Sequence, residues 1–134
     1  MSYKFGNGSK KNLGTVDIRL QEVCQHAIFI SPIDFGITEG LRSKERAIQL
    51  LEEGKSKLGD KSKHCLGLAV DIVCYDEQHK ITWEIPYYEE VASCFDIARK
   101  KVGVDMRWGG NWKVNQFKLD PNNKFVDAVH FELV

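Results

Sequence analysis

Two short stretches carry residues able to bind a metal and move a proton. Ser62-Lys63-His64-Cys65-Leu66-Gly67-Leu68-Ala69-Val70-Asp71 sets an imidazole and a carboxylate among small and apolar residues, and Asp127-Ala128-Val129-His130-Phe131-Glu132-Leu133 does so again. Two histidines and one carboxylate form a hydrolytic zinc set, because imidazole nitrogens and a carboxylate oxygen fill three tetrahedral positions and leave the fourth open. Asp71 is the only charge in the run 66–75. A lone carboxylate in an apolar strand needs a partner, and a metal is a sufficient one. Asp127 is then spare to act as base. Taken singly these signals are weak, since a terminal histidine between apolar residues is commonly a satisfied core histidine. Jointly they point to a metal site, because both runs are otherwise almost free of charge.

The elements that must position these groups follow from periodicity. Leu13, Val16, Leu20, Val23, Ala27 and Ile30 recur at three- and four-residue spacing, which predicts one helix over 13–30, ended at Ser31-Pro32. His26 within it reads as a partly exposed helix histidine. Residues 35–40 alternate as a short strand and place Arg42 at its end. Ser43 can cap a second helix that stops at Gly54. Residues 55–63, rich in Lys, Ser, Gly and Asp, read as a loop delivering His64. A strand follows over 66–75. His64 and Asp71 are seven apart, an odd separation that points to opposite faces of a regular strand, so His64 is expected before the strand or at a bulge near Gly67.

Residues 76–80 turn the chain back into a hairpin through 81–83, with His79 solvated. Pro86 suits the first position of a third helix with Tyr88, Val91, Phe95 and Ala98 on one stripe, Cys94 beside it and Gly103 as its stop. Residues 104–108 read as a strand, 109–112 as a tight turn that puts Trp112 at a cleft rim, and 113–124 as an irregular loop. In a last strand over 125–133, His130 and Glu132 share a face by their two-residue separation. Helices first, then strands in hairpin order, predict an α+β domain: an antiparallel sheet with helices packed on one side.

Composition narrows the function classes. With 134 residues and 43% hydrophobic content the chain suits one domain over 1–134. Nineteen basic against nineteen acidic residues produce no field that would attract a polyanion, so nucleic acid is not expected as a partner. Runs such as Lys10-Lys11 and Arg99-Lys100-Lys101 read as solvated faces. Cys24, Cys65, Cys74 and Cys94 lack Cys-x-x-Cys spacing and read as reduced, mostly buried thiols. No signal peptide and no run of ~18 apolar residues is visible, so the chain is expected to be made in the cytosol without stable membrane association.

Ser62-x-His64-x-x-Gly67-x-Ala69-x-Asp71 followed by Asp127-x-x-His130 resembles the signature of the D-alanyl-D-alanine carboxypeptidase family of zinc peptidases, whose fold is shared with the Hedgehog signalling domain. Within it the chain looks like the bacteriophage L-alanyl-D-glutamate endopeptidases, the endolysins that cut the cell wall. The likeness runs nearly end to end, through Gly40-Leu41-Arg42-Ser43, Gly54-Lys55-Ser56, Trp108-Gly109-Gly110-Asn111-Trp112 and His130-Phe131-Glu132-Leu133-Val134. The resemblance implies Zn2+ held by His64, Asp71 and His130, with Asp127 as general acid/base. It also implies that Arg42 steadies the developing oxyanion or a substrate carboxylate, and that Ser62 and Trp112 line the site. The family commonly has Asp where this chain has Asn111. Many members have Glu as base, and Asp agrees with the phage enzymes.

The implied substrate is the peptidoglycan stem peptide, cut by a monomer with no separate wall-binding domain. A holin-type protein would let it out of the host cytoplasm to the periplasmic wall. Two other readings stand beside this one: a D,D- or L,D-carboxypeptidase trimming terminal D-alanine with the same ligands, and a non-catalytic zinc-stabilised binding module. Retention of Asp127 and Arg42 beside the ligands argues against the module.

Overall fold

The computed structural model, which describes residues 2–54 and 62–134, divides the apolar stripe at 13–30 between two helices instead of one. Helix α1 spans Asn7–Leu13 and α2 spans Ile18–Ile30, because the polar groups between them bond locally. The Thr15 hydroxyl donates to the Asn12 carbonyl at 2.6 Å, and the Asp17 carboxylate accepts the Arg19 amide at 2.8 Å. That aspartate satisfies one of the amides that the first turn of α2 leaves unpaired. Leu13, Val16, Leu20, Val23 and Ala27 are still buried, whereas Ile30 is exposed. The stripe therefore reaches the core with a break in it.

The remaining elements are β1 (Phe35–Glu39), α3 (Lys44–Glu52), a 3-10 turn (Lys63–Leu66), β2 (Ala69–Tyr75), β3 (Ile81–Thr82), α4 (Ile85–Val102), β4 (Met106–Gly109) and β5 (Asp127–Leu133). Ser43 caps α3, its hydroxyl accepting the Arg46 amide at 3.1 Å. Gly54 follows in the left-handed conformation at φ 74°, where glycine alone is unstrained. Pro86 is the second residue of α4, not the first, and Glu84 is its N-cap. The expected loop at 55–63 lies outside the described residues except for its last two. The stretch 113–124 contains neither helix nor strand. Among the described residues no helix is long and apolar enough to cross a membrane.

The sheet is antiparallel throughout, in the order β1-β2-β5-β4, with β3 paired to β2. Paired residues share a face, so the register sorts the side chains. Val70 pairs with Phe131, Ile72 with Ile37, Cys74 with Phe35, Trp108 with Phe131 and Met106 with Leu133. All of these are buried in one apolar cluster with α2 and α4. Phe95 of α4 stacks on Phe131 at 4.0 Å between ring centroids, a contact worth about 0.5–1.5 kcal/mol beyond its buried area. Asp71 pairs with His130, and Ala69 with Glu132. These alternate with the core residues and so occupy the opposite face.

Tyr88 ties the β2–β3 hairpin to α4. Its hydroxyl accepts the Cys74 amide at 3.1 Å and donates to the Thr82 carbonyl at 2.9 Å, and the ring is buried. Tyr88→Phe removes both partners at once and leaves a buried amide and a carbonyl without their bond. It should destabilise the chain by about 1–3 kcal/mol. Denaturant unfolding of the variant beside the parent checks this; an unchanged midpoint would mean that water replaces the hydroxyl.

Candidate metal centre

His64 is set by the 3-10 turn, whose two ends are both specified by side-chain type. Ser62 begins it, its buried hydroxyl accepting the His64 amide at 3.2 Å, and Gly67 ends it in the left-handed conformation at φ 69°. The turn is tied outward on three sides. The Arg42 amide donates to the His64 carbonyl at 2.9 Å, the Asp17 amide to the Gly67 carbonyl at 2.9 Å, and Lys63 Nζ to the Leu133 carbonyl at 3.1 Å. The break between α1 and α2 thus braces the turn. It braces the ring as well, since a Cβ at Gly40 would collide with the Asn12 carbonyl and the Thr15 hydroxyl. The Gly40 carbonyl, held there, accepts the Nδ1 proton of His64 at 3.0 Å. His64 is only 2% exposed.

With Nδ1 engaged, Nε2 of His64 is the nitrogen that faces the centre, 3.1 Å from Asp71 Oδ1. His130 reaches the same oxygen through Nδ1 at 3.3 Å, and its Nε2 is 2.9 Å from Glu132 Oε1. The two imidazoles therefore present opposite nitrogens to one point. One candidate ligand atom from each of His64, Asp71 and His130 lies within 4.8 Å of the other two. Among the described residues no other trio of His, Cys, Asp or Glu converges in this way.

The electrostatics suit a cation at that point. Burial alone would raise the pKa of Asp71, but hydrogen bonds from His130 and His64 outweigh it and hold the carboxyl well below the usual range. Burial likewise opposes charge on His130, yet Asp71 and Glu132 push its pKa up to about 9. A proton shared between imidazole and carboxylate fills the place that a divalent ion takes with these same donors. The residues fit a zinc ion.

Asp127 opens β5, opposite Gly109, where the β4–β5 register slips between Trp108 and Gly109. That irregularity frees it from the alternation that separates it from His130. Gly109 is required there, because any Cβ would strike the Asp127 carbonyl. Burial, then the charge of Asp71, raises the pKa of Asp127, against the pull of His130, His64 and Arg42. Arg42 projects from the bend between β1 and α3, its side chain 7% exposed. Glu39 holds it bidentately, Nε to Oε1 at 2.7 Å and Nη2 to Oε2 at 3.0 Å.

Trp112 sits in the turn after β4 at φ 71°. Its ring lies 5.2 Å from that of His130 and 6.0 Å from Phe125, and its Nε1 donates to the Phe125 carbonyl at 2.7 Å. Asn111 turns away, its amide donating to the Lys118 carbonyl at 2.9 Å and bracing the irregular loop. The seven site residues named from the sequence fall into three layers: the converging trio, the charged pair Asp127 and Arg42 coupled to it, and Ser62 and Trp112 beside the two histidines. Glu39 was not legible as their companion. Its only signal was a carboxylate three residues before Arg42, a spacing common on any surface.

The chain matches the family model described as "Phage L-alanyl-D-glutamate peptidase" over residues 1–134. It is 36% identical to the L-alanyl-D-glutamate peptidase of Escherichia phage T5 over 138 residues, spanning 100% of both chains. It is 26% identical to the peptidoglycan L-alanyl-D-glutamate endopeptidase CwlK of Bacillus subtilis (strain 168) over 113 residues, which is 76% of this chain and 62% of that one. The crystal structure of the Serratia marcescens L-Ala D-Glu endopeptidase ChiX superposes with a TM-score of 0.83 at 30% identity, covering 98% of this chain and 90% of that one.

Proposed function

The chain belongs to the phage L-alanyl-D-glutamate peptidase family, and on that ground we propose that it hydrolyses the L-alanyl-D-glutamate bond of the peptidoglycan stem peptide, with zinc at His64, Asp71 and His130. The observation that carries this reading is the convergence of His64 Nε2 and His130 Nδ1 on one oxygen of Asp71, with Asp127 and Arg42 coupled to the same charges. Bound zinc supplies Lewis acidity, polarising the scissile carbonyl and making water a stronger acid.

The remaining work falls to the chain's own groups. Asp127 takes the proton of the attacking water and hands it to the leaving amine. Its raised pKa suits a base that must hold the proton between the two transfers. Arg42 keeps N–H groups beyond those given to Glu39, and these offset the charge that develops on the carbonyl oxygen. Trp112 offers an apolar wall beside His130, and Ser62 lines the floor while holding the His64 turn. The whole chain acts as one catalytic domain and as a monomer. A holin-type protein admits it from the host cytoplasm to the wall.

Mass analysis of muropeptides after digestion of purified peptidoglycan tests the bond. New D-glutamate amines with intact glycan chains are expected. Free D-alanine as the main product would replace this reading by the carboxypeptidase one, and no product at all from a zinc-loaded chain would leave the binding module.

A further inference from the structure

We infer that Glu132 is a positioning residue of this centre, its carboxylate fixing the ring of His130 so that Nδ1, and not Nε2, faces Asp71 and His64. The inference rests on the zinc reading above. The spacing of two along β5 puts Glu132 on the face of His130, and the contact is short, 2.9 Å from Oε1 to Nε2. Both residues are buried, at 5% and 6% exposure. Across the strand pair, Arg107 is the register partner of Glu132 and brings Nη1 to 3.8 Å from Oε2. The carboxylate is therefore anchored by a cation on one oxygen and spends the other on the imidazole.

A buried carboxylate held this way is a poor source of stability, because its desolvation costs about as much as the pairing returns. It is a good source of orientation. The ring of His130 is bounded by Glu132 at Nε2, by Asp71 at Nδ1 and by the Trp112 indole 5.2 Å away. The two histidines are steered by unlike acceptors. His64 donates from Nδ1 to the carbonyl of Gly40, so it presents Nε2; His130 turns Nε2 to the carboxylate of Glu132, so it presents Nδ1. A carboxylate acceptor also makes the opposite ring nitrogen a stronger donor toward a metal, which gives His130 the stronger hold of the two.

The test compares the full-length parent with Glu132→Gln, Glu132→Ala and Arg107→Ala. Zinc affinity is measured by competition with a chromogenic chelator, and the ring nitrogens of His130 by NMR of the zinc-loaded protein. Glu132→Ala should bind zinc about 10–100-fold more weakly, with Glu132→Gln between it and the parent because an amide oxygen still accepts. Arg107→Ala should cost less than Glu132→Ala. The Nε2 proton of His130 should lose its strongly hydrogen-bonded shift in Glu132→Ala, a change that a loss of packing alone does not produce. Parental affinity in folded Glu132→Ala overturns the inference, as does a parent whose zinc-loaded His130 carries its proton on Nδ1. If Glu132→Ala does not fold, Glu132→Gln decides: parental affinity with an unshifted Nε2 proton overturns it. A parent that binds no zinc overturns the metal reading, and parent-like variants on a zinc-binding parent overturn this one alone.

Discussion

His64→Ala should yield a folded protein that retains no zinc and clears no cell-wall suspension. The ring offers one of the three candidate ligand atoms, and the two that remain would leave a tetrahedral zinc two protein ligands short. The fold should survive, because the turn is held by the backbone and by Ser62, Lys63, Asp17 and Arg42, none of which needs the imidazole. What the variant leaves unpaired is the Gly40 carbonyl and part of Asp71, a cost of about 1–3 kcal/mol against the ~5–15 kcal/mol by which a domain is ordinarily stable. Stripping the parent with a chelator should abolish lysis in the same way, and added zinc should restore it. Metal content, circular dichroism and turbidity clearance of outer-membrane-permeabilised cells are the measurements. A metal-free parent with full activity would falsify the zinc assignment.

Asp127→Asn should keep zinc and fold while losing about 10²–10⁴ in turnover, the usual contribution of a general acid/base. Asparagine preserves size and the local backbone of the β4–β5 irregularity but cannot accept a proton. Neither His64 nor His130 hydrogen-bonds Asp127; both direct their centre-facing nitrogens to Asp71. Removing the charge of Asp127 should therefore leave the trio assembled. Zinc content, thermal melting and turnover on purified peptidoglycan are read together. Zinc lost along with activity would make Asp127 a ligand. Activity persisting with zinc in place would move the base elsewhere, Glu132 being the nearest other carboxylate on β5, although its contact with His130 argues for the positioning role.

The sequence by itself determined the parts of this protein that local chemistry dictates. The stripe Tyr88, Val91, Phe95 and Ala98 faces the core because no competing polar group interrupts it between Pro86 and Gly103. Ser43 caps α3 and Gly54 lies just past its end because each is the residue type that its position demands. His64 had to lie off the strand, since an odd separation from Asp71 would otherwise turn it into the core. His130 and Glu132 had to share a face. Phe125 and Val126, in contrast, stand outside β5, and Val104 and Asp105 outside β4, because strand ends are decided by which partner is opposite, not by propensity.

Only the tertiary structure decided how those parts become a centre. The apolar period at 13–30 runs through Gly14 and Asp17, residue types suited to ending and starting a helix, but only the fold shows that the break they make presses on Gly40 and so orients His64. The register of β2 on β5 brings Asp71 beside His130 across 59 residues of chain, a distance over which no spacing rule reaches. The slip opposite Gly109 relieves Asp127 of strand alternation. Which ring nitrogen faces the centre was decided last, by acceptors from elsewhere in the fold: a carbonyl for His64 and a carboxylate for His130. A sequence specifies residue types and their local periods, whereas a ligand set depends on directions in space, and directions exist only once the strands have paired.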